Sequence, residues 1–82
     1  EISATCRIVK VGDEEKTFAL LRQEGSYKIL TIVNLSPSQQ PVKIALPELT
    51  GSPRDIFTGK QEKLLLNSNF VLEPWGYKVF EY

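Results

Sequence analysis

The apolar, β-branched run at residues 27–34, with the sequence YKILTIVN, constrains the fold more than any other feature of the chain. A proline-containing turn cluster follows it at once, which ends the run sharply. Successive side chains of a strand point to opposite faces, so Leu30 and Ile32 share one face while Ile29 and Val33 share the other. Both sets are apolar, and the pattern therefore predicts a central strand that needs cover on both faces.

Shorter apolar segments, separated by turn residues, flank this run. Further strands are predicted at residues 4–11, 17–23, 42–46, 54–57, 63–66, 70–72 and 77–82. No segment has the apolar spacing of a helix over two turns. Short strands about ten residues apart, with Gly, Pro and Asn between them, predict an all-β fold: a two-layer antiparallel β-sandwich of seven to eight strands with a Greek-key connection. A small barrel is the alternative.

Two hairpins are expected within this arrangement. The turn Glu24-Gly25-Ser26 has the length and chemistry to connect residues 17–23 to the central strand. The Thr58-Gly59 turn predicts a second hairpin, formed by residues 54–57 and 63–66.

Size and charge restrict the classes of protein. The 82 residues predict one domain, 1–82, and a hydrophobic content of 41% with 24% charged residues is that of a folded chain. Ten basic and ten acidic residues give a net charge of zero, so no basic field would attract nucleic acid. No apolar run approaches the roughly 20 residues of a membrane-spanning helix, so neither nucleic acid nor membrane is an expected partner.

The residue inventory also limits the chemistry. Cys6 is the one cysteine and histidine is absent, which excludes an intrachain disulfide, a zinc-finger site and a Ser-His-Asp triad. We expect Cys6 to be a small buried hydrophobe. The sequence contains no methionine, and we therefore expect a fragment or a processed chain. The compartment is not indicated.

Three segments, in order, carry a resemblance to a known family. They are the strand end VNLS at residues 33–36, preceded by FALLR at residues 18–22; the turn DIFTG at residues 55–59; and the closing strand LEPWGYKVFE at residues 72–81. Together they resemble the C-terminal β-domain of the alpha-amylase family of glycoside hydrolases.

The resemblance implies that this chain is an accessory domain of a larger enzyme with an upstream (β/α)₈ barrel. In that family the barrel carries the chemistry, and the parent would be a glycosidase that acts on alpha-glucosidic carbohydrate. Retaining enzymes need two carboxyl groups about 5 to 5.5 Å apart, whereas the acids of this chain are scattered over turns and strand ends. We predict no catalytic residue, no metal ligand and no cofactor here.

Packing on the upstream barrel is the first expected role. Ala19 and Leu21 on one strand, with Leu30 and Ile32 on its neighbour, offer more apolar surface than one thin core can use. We expect these four side chains to form the interdomain contact.

Two alternatives remain open. A carbohydrate-binding module would stack alpha-glucan oligosaccharide on exposed rings, and Trp75 and Tyr77 are the candidate sugar-binding residues. An immunoglobulin-like interaction module is allowed by the fold, although the Cys-Trp-Cys pattern of true immunoglobulin domains is absent.

Overall fold

The computed structural model describes residues 4–82, which form seven strands in two antiparallel sheets. The strands are β1 (Thr5–Val9), β2 (Thr17–Glu24), β3 (Tyr27–Asn34), β4 (Gln40–Lys43), β5 (Arg54–Asp55), β6 (Asn69–Leu72) and β7 (Tyr77–Glu81). A single 3₁₀ turn, Pro47–Leu49, is the helical element of these residues. None of their helical structure is long and apolar enough to cross a membrane.

The larger sheet has the strand order β1-β2-β3-β7-β5, and the smaller sheet pairs β4 with β6. After β3 the chain alternates between the sheets, and β7 returns to lie between β3 and β5. This confirms the predicted all-β antiparallel sandwich with a crossover connection. Two separate sheets also rule out the barrel alternative.

The predicted central strand is confirmed, because β3 pairs along its length with β2 and with β7. Gly25, with φ of 61°, makes the tight turn between β2 and β3 at a conformation that glycine adopts without strain. The core lies between the inner face of the larger sheet and the smaller sheet. Its buried apolar residues are Val9, Val11, Ala19, Leu21, Leu30, Ile32, Val42, Ile44, Leu49, Leu64, Leu72 and Phe80.

The predicted hairpin between residues 54–57 and 63–66 is wrong. β5 is only two residues long and pairs with β7. The Asp55 carboxylate accepts the N–H of Phe57 at 2.9 Å, so the chain turns before the strand can extend. The segment at 63–66 forms an isolated bridge from Leu64 to Gly51 instead of a strand.

The expectation for Cys6 is also wrong. Cys6 lies on β1, which is an edge strand of the larger sheet, and its side chain is exposed. Its register partner is Arg22 of β2, on the face of the sheet that points away from the core. An apolar side chain on an edge strand is buried only on the inner face, and Cys6 occupies the other one.

Candidate functional site

The four residues predicted to contact another domain lie in the core of this one. Leu30 and Ile32 have no exposed surface, and Ala19 and Leu21 are each 1% exposed. The prediction of interdomain packing through these side chains is therefore wrong. Its physical reason is that the smaller sheet covers the face they share, so the surplus apolar surface lies on the opposite face.

That opposite face of the larger sheet is apolar, no part of residues 4–82 covers it, and we call it the outer face. Directly paired residues of antiparallel strands share a face, so the registers of β1, β2, β3 and β7 define its members. The outer face consists of Ile8, Phe18, Leu20, Ile29, Thr31, Val33, Tyr77 and Val79. Ile8 is 70% exposed, Tyr77 58% and Phe18 39%, while the other five are half-buried by their neighbours.

Two further apolar side chains extend the outer face beyond β5. The N–H of Ile56 donates to the carbonyl of Val79 at 3.1 Å, which places Ile56 beside β7. The ring of Phe57 packs edge-to-face on Tyr77, with 5.3 Å between their centroids. Four strands about 4.8 Å apart, each contributing residues about 7 Å apart, give the patch an area on the order of 300 to 400 Å². A patch of this size on a small domain is often functional.

The outer face is bounded at one end by a row of charged residues. Arg54 donates to one oxygen of Glu81 at 2.5 Å, and the hydroxyl of Tyr27 donates to the other at 3.0 Å. The bonds from Arg54 and then from Tyr27 lower the pKa of Glu81, while the bond to Glu81 raises the pKa of Tyr27. Arg22 lies in the same row, between Cys6 and Ile29, and is exposed.

Trp75 lies on a tight turn at the other end of β7. The N–H of Gly76 donates to the Glu73 carbonyl at 2.8 Å, and Trp75 has φ of 58°. Pro74 before a residue with positive φ is the combination of a type II turn, whose third position normally takes Gly or Asn. A tryptophan there is strained, and the residue is 60% exposed. The turn thus displays the ring to solvent.

The side chain of Asn34 holds this turn in place. It is fully buried, and its amide donates to the carbonyls of Ser38 at 2.8 Å and Glu73 at 3.0 Å. Its oxygen accepts the N–H of Ser36 at 3.0 Å and the Ser36 hydroxyl at 2.8 Å. The Ser36 carbonyl in turn accepts the N–H of Trp75 at 3.1 Å. One buried amide therefore links the end of β3 to the Trp75 turn.

The two candidate sugar-binding rings have different surroundings. Tyr77 belongs to the outer face and packs against Phe57, whereas Trp75 forms no ring pair within residues 4–82. Beside the Trp75 turn, the Gln39 amide donates to the Glu73 carboxylate at 2.9 Å, so polar side chains lie close to the turn. An exposed aromatic residue, an amide and a carboxylate therefore occur together at this end of the domain.

The acidic residues hold turns and ion pairs together. Asp13 accepts the N–H of Glu15 at 2.9 Å, and buried Asp55 pairs with Lys78 at 3.9 Å. Glu62 also pairs with Lys78, at 3.2 Å. Within residues 4–82 no three acidic, His or Cys side chains come together as a metal site would require.

A groove of about 520 Å³ runs beside the edge strand β1. Among residues 4–82, apolar and basic side chains line it, such as Val11, Leu46, Arg7 and Lys43, and none of the lining residues is acidic. Glycoside hydrolysis needs a pair of carboxyl groups, and residues 4–82 do not offer them in this groove.

Comparison with protein families agrees with this architecture. The family model described as maltogenic amylase, C-terminal domain, matches residues 6–79, which is most of the chain. The chain belongs to this family. The resemblance to the C-terminal domain of the alpha-amylase family is thereby confirmed. A search of the curated proteins finds no match.

As a maltogenic amylase C-terminal domain, the chain is one part of a multidomain amylase. The outer face is the part of the site that sequence reasoning missed. The signal was present, because the alternation in the central strand marks Ile29 and Val33 as a second apolar set. Sequence reasoning also missed that Asn34 is buried and holds the Trp75 turn. The one sign of this in the sequence was a polar residue at the end of an apolar strand.

Proposed function

We propose that this chain is the non-catalytic C-terminal domain of a glycoside hydrolase acting on alpha-glucosidic carbohydrate. Its role is to stabilise the enzyme by packing its outer face on the upstream catalytic barrel. The observation that carries the proposal is the uncovered apolar face of a sheet whose other face already has a complete core. Membership of the maltogenic amylase C-terminal domain family supports this choice of partner and substrate class.

The energetics favour coverage of this face. Apolar surface gains about 25 cal/mol per Å² on burial, so a patch of this size would contribute several kcal/mol before ordering costs. Counted on both partners, a contact over this patch buries roughly 600 to 800 Å², which lies at the lower end of interdomain interfaces within one chain. A covered outer face also removes the aggregation hazard of an exposed apolar sheet.

The test compares two valines on opposite sides of the sandwich in the intact enzyme. Val33 lies on the outer face, and Val71 lies on β6, paired with Pro41 and 53% exposed. Val33→Asp should shorten the lifetime of glucan hydrolysis at elevated temperature several-fold, with little change in the initial rate. Val71→Asp should leave both the lifetime and the initial rate near their wild-type values. Equal effects of Val33→Asp and Val71→Asp would refute the proposal.

Alpha-glucan contact through Trp75 is a second candidate function. The observation in its favour is that a strained turn, held by the buried Asn34 amide, leaves Trp75 60% exposed. Backbone strain at a residue whose side chain is exposed supports the hypothesis that the side chain has a function. Tyr77 belongs to the outer face, so we expect the barrel to cover it in the intact enzyme. Of the two candidate rings, only Trp75 would then be accessible to sugar.

Titration of the isotope-labelled chain with malto-oligosaccharides tests this contact. Saturable shifts of the Trp75 indole signal, absent from a Trp75→Ala variant, would support it. The absence of shifts at millimolar sugar would refute the contact between Trp75 and alpha-glucan, and the packing role would be unaffected. The immunoglobulin-like alternative has no support from the family comparison, which matches the chain to an amylase domain.

A further inference from the structure

Arg22 differs from Arg54, the other basic residue at the charged end of the outer face. Arg54 is bonded to Glu81, as is Tyr27, and Lys10, just after β1, pairs with Glu14 at 3.8 Å. Arg22 forms no ion pair or side-chain hydrogen bond within residues 4–82.

The lack of a partner for Arg22 matters because of the residues that surround it on the outer face. Its register neighbours are Cys6 on one side and Ile29 on the other, and Leu20 precedes it on the same face of β2. Glu24 follows it on that face, but the two side chains do not pair. The guanidinium is therefore placed where the apolar patch ends and the charged row begins.

Covering the outer face would remove water from this guanidinium. A charge taken out of water without a partner costs several kcal/mol, so a stable contact needs an acceptor at this point. Glu81 lies in the same row but is already bonded to Arg54 and Tyr27, and Arg22 makes no bond to it. A carboxylate fits best, since the planar guanidinium can donate two parallel hydrogen bonds to it.

We propose that the catalytic domain presents an Asp or Glu carboxylate opposite Arg22, and that this ion pair fixes the orientation of the two domains. The proposal rests on the packing role of the outer face and adds its polar anchor. Apolar contact supplies most of the attraction, whereas a directional pair of hydrogen bonds selects one docking geometry.

Zero-length cross-linking of the intact enzyme tests the pair directly. The Arg22→Lys variant places an amine at this position, and a carbodiimide joins an amine to a carboxylate only when the two are in contact. Mass spectrometry should find a peptide that links position 22 to an acidic residue of the catalytic domain. Gln23→Lys is the matched control. Residue 23 follows residue 22 on β2, so its side chain points to the opposite face of the sheet and should give no such link.

Links from position 22 only to Glu24 or Glu81, or the same links from Gln23→Lys, would overturn the proposal. A second variant, Arg22→Met, keeps an apolar stem but leaves the partner carboxylate unpaired. It should speed thermal inactivation of the intact enzyme about tenfold or more.

The Val33→Asp variant separates the two ways in which the proposal can fail. If Val33→Asp speeds inactivation and Arg22→Met does not, the packing role stands and the ion pair is wrong. If neither does, the packing role itself is wrong.

Discussion

Ile29 and Leu30 are successive residues of β3, yet they lie in different environments. Leu30 has no exposed surface and packs in the core. Ile29 is partly exposed on the outer face, in the row that also contains Arg22 and Glu81. The larger sheet thus has two apolar faces and residues 4–82 cover only one, which leaves the second for the proposed contact with the catalytic domain.

Truncation of these two neighbours should therefore have unequal effects. In the 82-residue chain, Leu30→Ala should lower the free energy of unfolding by about 2 to 5 kcal/mol, because it leaves a cavity in the core. Ile29→Ala should lower it by less than about 1 kcal/mol, since the side chain is partly solvated. Urea denaturation followed by circular dichroism measures both, and equal losses would contradict the assignment of faces.

The buried amide of Asn34 should contribute more to the free energy of unfolding than an exposed amide does. Asn34→Ala leaves the Ser38 and Glu73 carbonyls without their donor and should lower the free energy of unfolding by about 2 to 3 kcal/mol. Asn69→Ala is the control, because that exposed side chain makes one bond, at 3.2 Å, and its loss should cost about 0.5 kcal/mol or less. An Asn34 variant as stable as the control would show that the network does not hold the turn.

Glycine at position 75 should relieve the strain of the turn. Trp75→Ala and Trp75→Gly both remove the ring, but only glycine adopts the positive φ without steric cost. We expect the glycine variant to be more stable than the alanine variant by about 1 kcal/mol. Thermal unfolding of the two variants measures this difference. A more stable alanine variant would contradict the conformation of the turn.

Tyr82 should make stability depend on pH in the alkaline range. Burial raises the pKa of Tyr82 to about 12, and its hydroxyl donates to the Leu49 carbonyl at 2.6 Å. The unfolded phenol titrates near pH 10. Between about pH 10 and 12 the unfolded state therefore releases its proton first, and stability falls as pH rises.

The control for this prediction is Tyr82→Phe, which leaves the other tyrosines in place. The stability advantage of the wild type over this variant should be full below about pH 10 and shrink as pH rises to about 12. Denaturant unfolding at a series of pH values measures it. A constant difference across that range would contradict the raised pKa.

Local sequence signals predicted much of the fold. β-branched alternation located β3, Gly25 located its hairpin, and the spacing of turns predicted seven to eight strands, of which the structure has seven. The pairing of residues 54–57 failed because the Asp55 carboxylate ends β5 after two residues. That capping depends on side-chain geometry, which the pattern of apolar residues does not carry.

The position of the candidate site depended on long-range structure. Alternation showed that the central strand has two apolar faces, but it could not show which one the smaller sheet covers. That choice follows from the return of the chain through β4 and β6, and it placed Leu30 inside and Ile29 outside. The bond from Asn34 to Glu73, 39 residues later in the chain, was equally beyond local reasoning.

Thiol labelling at the middle of the outer face tests the packing role most directly. Thr31 lies there between Leu20 and Val79, and Val71 lies on the opposite side of the sandwich. With Cys6 replaced by serine, Thr31→Cys and Val71→Cys would each be labelled in the 82-residue chain and in the intact enzyme. We predict that Thr31→Cys reacts at least about tenfold more slowly in the intact enzyme, whereas Val71→Cys reacts equally fast in both. Equal rates for Thr31→Cys in the two proteins would contradict the account.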